Sequence, residues 1–221
     1  MKCEITNIVA DLRAAAVVPI VQADSIADAQ WVVKTLNDGG IDIFEVSLAT
    51  PGSVGLIREL ASEAHMRVGV GSVTRGKDAA RALEAGATFV VSSQLRRELP
   101  AICRQAKVPC ILEAMTPTEI ARCAELQAAA VKLFPISAIG GPDYVRAIRE
   151  IYPSLPLAPS GGIQIEDVHS YLNAGADFVG ISSKLVDASD IAKRDSAAVY
   201  DRAAQVVGSL EGRQREHAAV A

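Results

Sequence analysis

The amino-acid sequence predicts a single α/β domain over residues 1–221 that folds as a (β/α)8 barrel, and three observations lead to this fold class. Short apolar runs alternate with alanine-rich segments whose apolar residues recur at helical spacing. The runs are apolar throughout, as expected for parallel strands that helices cover. A pattern of small residues also recurs before several of the runs. An open doubly wound sheet is the alternative, but no G-x-G-x-x-G sequence follows the first run.

Eight apolar runs mark the strands, and the segments between them mark the helices. In chain order the runs are Val17–Gln22, Ile43–Ser47, Val68–Val70, Phe89–Ser92, Val108–Leu112, Ala130–Phe134, Pro156–Ala158 and Phe178–Ile181. Asp24 or Ser25 is expected to cap the helix after the first run, and Thr74 the third helix. Thr116 and Glu119 form a capping-box pattern that predicts the start of a later helix.

An internal repeat supports the barrel. A small residue precedes the apolar run in four copies of the pattern, where it lets a helix end turn tightly into the next strand. The matched positions are Gly40, Gly86, Ala128 and Gly175, which lie 46, 42 and 47 residues apart. Each interval holds two strand–helix units, so the chain is predicted to consist of four quarter-barrels. The chain after Ile191 is predicted to be helical, with a loose end from about Glu211.

Composition restricts the kinds of partner. The chain has 22 basic and 26 acidic residues and 4% aromatic residues, which argues against nucleic-acid binding. No apolar run approaches the roughly 20 residues of a membrane-spanning helix, and the polar start is not a secretory signal. Three histidines and four cysteines lie far apart or lack metal-site spacing. We therefore expect a soluble, cytoplasmic protein that needs no metal and no other cofactor.

Two charged residues interrupt apolar strands. Glu45 lies within Ile43–Ser47, on the face that points into the barrel, and Lys132 is the only one of seven lysines inside an apolar run. A buried amine is more readily deprotonated, because burial penalises its charged form, and a neutral amine can attack a carbonyl carbon. A nearby carboxylate can then transfer protons. The alternative is a structural ion pair, although such pairs often stabilise a fold no better than apolar residues do.

Glycine- and serine-containing loops follow the last two strands, at Ser160–Ile163 and Gly180–Leu185. Barrel enzymes commonly bind phosphate at these two loops, through backbone amides that glycine leaves accessible. Ordinary tight turns are the alternative interpretation. Ser72 is a candidate for binding a carboxylate or for capping a turn. Glu113, at the end of the fifth run, either lines the barrel mouth or lies at its rim.

With these residues identified, the chain resembles the family of 2-keto-3-deoxy-6-phosphogluconate (KDPG) and 4-hydroxy-2-oxoglutarate (KHG) aldolases. The resemblance extends in order from about Val17 to Val186. Its motifs are Gly39–Gly40 followed by Phe44–Gly52, Gly69–Val73, Val131–Pro135, Pro159–Ile163 and Gly180–Ser183. The resemblance implies a metal-free class I aldolase of carbohydrate metabolism, assembled as a homotrimer, that cleaves a 2-keto-4-hydroxy acid to pyruvate and an aldehyde.

The resemblance also implies roles for individual residues. Lys132 matches the lysine that forms the Schiff base, and Glu45 matches the general acid and base. The positions expected to contact a phosphorylated keto-acid substrate are Ser72, Thr50, Pro135, Gly161, Gly162, Ser182 and Ser183. The chain departs from the family at Ala49, where many members have an arginine, and at Gln22, where others have one, so the anion-binding arrangement is expected to differ.

Two other functions are kept as alternatives. One is a phosphate-binding barrel isomerase or synthase, which would share the late loops but would not need Lys132 beside Glu45. The other is a non-catalytic descendant that binds a keto acid as a sensor. The missing arginines agree weakly with such a sensor, whereas the retention of Lys132 and Glu45 argues against it.

Overall fold

A computed structural model describes residues 2–220 of the chain, with side chains described from residue 8 to residue 210. Eight parallel strands form one sheet in the order β7-β6-β5-β4-β3-β2-β1-β8, and a single parallel bridge between Ser160 and Gly180 joins its two edges. The strands are β1 Val17–Val21, β2 Ile43–Ser47, β3 Arg67–Val73, β4 Val90–Ser92, β5 Cys110–Ala114, β6 Ala130–Leu133, β7 Leu157–Pro159 and β8 Val179–Ile181. The predicted (β/α)8 barrel is confirmed, and all eight predicted runs overlap a strand.

Helices alternate with the strands and cover the outside of the sheet. They are α1 Lys2–Ala15, α2 Ile26–Asp38, α3 Ser53–Ala61, α4 Gly76–Glu84, α5 Leu99–Gln105, α6 Pro117–Glu125, α7 Gly141–Ile151, α8 Val168–Asn173, α9 Ala188–Lys193 and α10 Ser196–Val220. Short 3-10 segments at Ile136–Ile139 and Ile165–Asp167 precede α7 and α8. The predicted helix after Ile191 corresponds mainly to α10. The loose end expected from Glu211 concerns side chains outside the described residues. Within residues 2–220, no helix is long and apolar enough to cross a membrane.

Helix α1 precedes the barrel and closes its amino-terminal end, a feature that the sequence patterns did not predict. Leu12 of α1 is completely buried in the same apolar cluster as inward-facing strand residues. That cluster consists of Leu12, Val18, Ile43, Phe89, Val91, Ile111, Ala130, Ala158 and Phe178. The lower half of the barrel is therefore a packed apolar core, and polar chemistry is confined to the carboxyl ends of the strands.

Two of the three predicted caps are confirmed. Ser25 caps α2 by accepting the amide of Asp28, and Thr116 and Glu119 form the predicted capping box of α6. The prediction for Thr74 is wrong, because α4 begins one residue later, at Gly76. Arg75 occupies its N-cap position and makes no side-chain capping bond.

The internal repeat is present, but its fourth copy is displaced by one residue from the predicted match. Gly40, Gly86 and Gly175 have φ values of +97°, +103° and +103°, and each ends a helix in the left-handed conformation. In the fourth copy the corresponding residue is Gln127, with φ of +58°, rather than Ala128. Gln127 donates its amide to Ala124, as glycine does in the other copies. The prediction missed it because it assumed that this position requires a small residue.

Candidate active site

The polar part of the barrel lies directly above the apolar core. Glu45 and Lys132 share a small void with Phe89 and Ile111 of that core, and both also line a cavity of about 470 Å³ that opens at the carboxyl ends of the strands. The alternation of side chains produces this arrangement, because Ile43 and Glu45 point to the same side of β2, and Ala130 and Lys132 to the same side of β6.

Lys132 and Glu45 form an ion pair inside the barrel. The amine Nζ of Lys132 donates to Oε1 of Glu45 at 3.2 Å and lies 3.5 Å from Oε2. The two side chains are only 12% and 6% exposed. Because they come from β6 and β2, which are not neighbours, the closed barrel is needed to bring them together. A shielded amine beside a carboxylate is suited to imine chemistry with a carbonyl compound.

Gly71 provides the space that the Glu45 carboxylate occupies. A Cβ atom at Gly71 would lie 2.2 Å from Oε1 of Glu45, which is far inside van der Waals contact. Gly71 lies on β3 opposite Ser47, two residues beyond Glu45 on the neighbouring strand. The Gly69–Val73 motif thus has a steric reason: a larger residue at position 71 would displace the carboxylate from Lys132.

Neutral polar groups line the cavity where β1, β2 and β3 end. Ser72 has a left-handed backbone with φ of +59°, at an irregularity in the pairing of β3 with β4. Its hydroxyl lies 2.8 Å from that of Ser47, which donates to the side-chain oxygen of Gln22 at 3.3 Å. These groups offer hydrogen bonds but no fixed positive charge, where an arginine would give both.

The loops after β6, β7 and β8 form the opposite wall of the cavity. Ile136 and Ser137 donate their amides to the carbonyls of Ser160 and Gly161, which joins the first two loops. Gly161 and Gly162 have left-handed backbones, with φ of +94° and +79°. A Cβ atom at Gly162 would lie 2.0 Å from Oγ of Ser137, so this close approach requires glycine.

Exposed residues after β8 complete this wall. Ser182, Ser183 and Lys184 line the cavity within a single turn, in which Leu185 donates its amide to the carbonyl of Ser182 at 2.8 Å. The first amides of such a turn have no partner within it and are available to oxygen atoms of a ligand.

Most of the predicted site residues lie around this one cavity, and one does not. The lining includes Glu45, Lys132, Ser72, Pro135, Gly161, Gly162, Ser182 and Ser183. Thr50 is buried instead and accepts the amide of Ala23 at 3.0 Å, which ties the loop after β2 to the loop after β1. It lines a larger neighbouring cavity formed by the loop after β2, the end of β3 and helices α3 and α4, and Ser72 lies between the two cavities.

The lining also includes Ser93 and Ser137, which were not predicted to belong to the site, and Glu113, for which the barrel mouth and the rim were left open. Ser93 and Ser137 gave no signal, because serine is ordinary in a loop after a strand. Glu113 did give one, since it is an acidic residue inside an apolar strand. Burial raises the pKa of Glu113; the charge of Lys132 opposes this shift, and that of Glu45 adds to it.

Among the described residues, no group of three or more histidine, cysteine, aspartate and glutamate side chains is arranged to hold a metal ion. The cavity thus presents one amine, two carboxylates, hydroxyl groups and backbone amides as its chemical groups, together with the exposed Lys184.

Comparisons with known proteins point to one family. The family model described as KDPG and KHG aldolase matches residues 8–202. The 2-dehydro-3-deoxy-phosphogluconate aldolase of Treponema pallidum (strain Nichols) is 30% identical over 198 residues, which cover 88% of this chain and 94% of that protein.

Two solved structures show the same fold. The KDPG aldolase of Legionella pneumophila, with pyruvate captured as a covalent carbinolamine intermediate, has a TM-score of 0.82 and 26% identity, covering 90% of this chain and 97% of that one. The aldolase of Zymomonas mobilis ZM4 with 3-phosphoglycerate also has a TM-score of 0.82, with 27% identity and coverage of 91% and 95%.

Proposed function

Because the chain belongs to the KDPG and KHG aldolase family, we propose that Lys132 is its imine-forming residue and Glu45 its general acid and base. The chain is a class I aldolase, a carbon–carbon lyase that cleaves a 2-keto-4-hydroxy acid such as KDPG or KHG to pyruvate and an aldehyde. The observation that carries the residue assignment is the contact between Lys132 and Glu45, shielded inside the barrel. A structural ion pair alone would not explain why this contact lines the cavity.

The proposed reaction begins when the neutral amine of Lys132 attacks the C2 carbonyl of the substrate. Loss of water from the resulting carbinolamine leaves an iminium ion, which accepts the electrons of the C3–C4 bond. Glu45 takes the proton of the C4 hydroxyl as that bond breaks, and an aldehyde leaves. The enamine is then protonated at C3, and water releases pyruvate and regenerates the amine.

The two walls of the cavity suit the two ends of the substrate. We assign the pyruvate carboxylate to Ser72 and its neighbours at the ends of β1 to β3, which supply hydrogen bonds. A phosphate group at the far end would lie against Gly161, Gly162, Ser182 and Ser183, where backbone amides are accessible. Lys184 lies in the same turn and adds positive charge. Support comes from the Zymomonas relative, whose structure contains 3-phosphoglycerate.

This chemistry needs no metal ion, because the iminium ion on Lys132 serves as the electron sink that a metal provides in other aldolases. We propose that no other cofactor takes part. The homotrimer, the cytoplasmic location and the organisation as one domain stay predictions from the sequence and from its resemblance to the family.

The two alternatives are less well supported. A phosphate-binding isomerase or synthase would not require an amine and a carboxylate in contact, and a keto-acid sensor would not need to retain both. The family match and the Lys132–Glu45 contact favour the aldolase over each of them.

Reduction with borohydride tests the assignment of Lys132. When the protein is reduced in the presence of pyruvate, we expect intact mass spectrometry to show one reduced pyruvate adduct and peptide analysis to place it on Lys132. Lys132→Met should form no adduct and show no measurable cleavage of KDPG while it keeps the circular dichroism spectrum of the folded barrel.

A second lysine provides the matched control. Lys184 also lines the cavity but is exposed, so Lys184→Met should still form the adduct on Lys132. An unmodified wild-type protein, or an adduct on Lys184 in place of Lys132, would overturn the assignment.

A further inference from the structure

A second carboxylate lies beside Lys132, from a different strand than Glu45. Glu113 of β5 is the direct cross-strand partner of Lys132 of β6. Paired residues of neighbouring parallel strands point to the same side of the sheet, with their backbones about 4.8 Å apart. Glu113 and Lys132 accordingly line the same cavity.

The two carboxylates approach the amine from different directions. Glu45 reaches Lys132 from β2, across the barrel, and accepts a hydrogen bond from its Nζ atom. Glu113 stands next to Lys132 along the wall, half-buried at the carboxyl end of β5. A substrate carbon bonded to Nζ therefore has a carboxyl group on each of two sides.

The environments of the two carboxylates differ. Glu45 is in direct contact with the amine of Lys132, at 3.2 Å, and its side chain is only 6% exposed. Burial and the negative charge of Glu45 both raise the pKa of Glu113, against the lowering effect of Lys132. Within the described chain, the titratable residues that line the cavity are Glu45, Glu113, Lys132 and Lys184.

We propose that Glu113 is a second catalytic acid of this aldolase, which protonates the hydroxyl group that leaves the carbinolamine on Lys132. The proposal rests on the proposed function of Lys132. In this step the proton of the Glu113 carboxyl group passes to the carbinolamine oxygen, the C2–O bond breaks, and water leaves. The nitrogen lone pair forms the C=N bond, so the products are an iminium ion and the Glu113 carboxylate. During hydrolysis the carboxylate takes a proton back from the water that attacks C2.

A division of labour explains why both groups are useful. Glu45 must be ionised to accept the proton of the C4 hydroxyl, whereas loss of the carbinolamine hydroxyl needs a protonated acid. Two carboxyl groups in different environments supply both forms without Glu45 having to gain a proton before the loss of water. The loss of water is then assisted before Glu45 acts on C4.

Rapid-mixing trapping with pyruvate tests this role without C–C cleavage. Enzyme and pyruvate are mixed, reduced with borohydride after increasing delays, and weighed by intact mass spectrometry. We expect Glu113→Gln to accumulate the adduct at least about tenfold more slowly than the wild type, within the usual range for a lost proton donor. Its KM for KDPG should change little, whereas kcat should fall with the rate of imine formation.

The pH profile separates catalysis from packing. If the acid form of Glu113 is required, the wild-type rate of imine formation should decline as pH rises through the raised pKa of Glu113. Glu113→Gln should lack that decline, and Glu113→Asp, which retains a carboxyl group, should keep it. Glu166→Gln is the matched control, because Glu166 is exposed in the 3-10 segment after β7 and does not line the cavity.

The outcomes distinguish this proposal from the one on which it rests. Adduct formation by Glu113→Gln within twofold of the wild type at every pH would overturn the role of Glu113 and leave Lys132 unaffected. If the wild type itself forms no adduct, the function proposed for Lys132 fails. If Glu113→Gln does not fold, Glu113→Asp decides, since loss of the decline with pH in that variant also contradicts the proposal.

Discussion

Glu45 is held beside Lys132 by the absence of a side chain at position 71. Gly71 has an ordinary backbone conformation, so its importance is steric: a methyl group there would overlap the Glu45 carboxylate. The position of the carboxylate proposed as general acid and base thus depends on a residue with no side chain to take part in the chemistry.

Gly71→Ala is therefore expected to lower kcat for KDPG cleavage by roughly tenfold or more, because a misplaced proton acceptor is a poor one. Steady-state kinetics and a thermal melt measure the effect on activity and on folding. The matched control is Gly55→Ala in α3, where nothing lies within 4 Å of the added methyl group. That variant should gain about 0.5–1 kcal/mol in stability and keep its activity. Equal kinetics in both variants would contradict the steric role of Gly71.

At the residue scale, the sequence predicted best where a residue violated its local pattern. Lys132 and Glu45 stood out because charged residues are rare in apolar strands, and the structure places them in contact. Thr50 and Ser72 both came from family motifs, yet only Ser72 reaches the cavity. Local sequence does not state on which side of a loop a short hydroxyl side chain lies, since this depends on how two loops pack.

At the element scale, the capped start of α6 makes the stability of the fold depend on pH. Glu119 accepts hydrogen bonds from the amides of Met115 and Thr116 at 2.9 and 2.8 Å and from the Thr116 hydroxyl. These bonds lower the pKa of Glu119. Because its pKa is lower in the folded than in the unfolded chain, Glu119 stabilises the fold above the ordinary carboxyl pKa. That contribution is lost as pH falls through the lowered value.

Glu119→Gln should consequently be less stable than the wild type at neutral pH, by about 1 kcal/mol or less for this exposed cap, and the difference should shrink in acid. Urea unfolding at several pH values measures it. Glu125→Gln, at the opposite end of α6, removes the same charge without a capping bond and should show no such trend. A difference that stays constant from neutral to acidic pH would mean that Glu119 acts as a neutral cap only.

Strands were easier to predict from the sequence than the ends of helices. Each strand is a continuous apolar run, which both faces of a covered parallel sheet require, so all eight were found. The turn at Gln127 was misplaced because a residue other than glycine adopts the left-handed conformation there. Helix α1 was missed because its role depends on Leu12 docking beneath the barrel, a contact that no local pattern encodes.

At the scale of the whole molecule, the net charge does not attract anions, so an anionic substrate has to be bound by local groups of the cavity. The chain carries a formal net charge of −4, which would repel a phosphorylated keto acid rather than attract it. Gln22 lines the cavity as a neutral side chain, and Ala49 does not line it. The proposed phosphate site therefore relies on the backbone amides at Gly161 and Gly162 and on the turn after β8.

Inorganic phosphate should accordingly compete with KDPG. It should raise the apparent KM for KDPG and leave kcat unchanged. Chloride at the same ionic strength controls for screening. Gly162→Ala should weaken this competition, because the added methyl group would overlap Ser137 and the left-handed backbone disfavours alanine. A KM that does not respond to phosphate would move the anion site away from these loops.

Helix α1 closes the amino-terminal end of the barrel and leaves the carboxyl ends of the strands as the side where the described cavity opens. With Leu12 filling the other end, the substrate, the water and both products of the proposed reaction would all enter and leave at the carboxyl ends of the strands. In the proposed reaction the pyruvate carbons stay bonded to Lys132, and the aldehyde is formed on the side of the cavity opening. The aldehyde thus departs first, and the space it vacates admits the water that frees pyruvate.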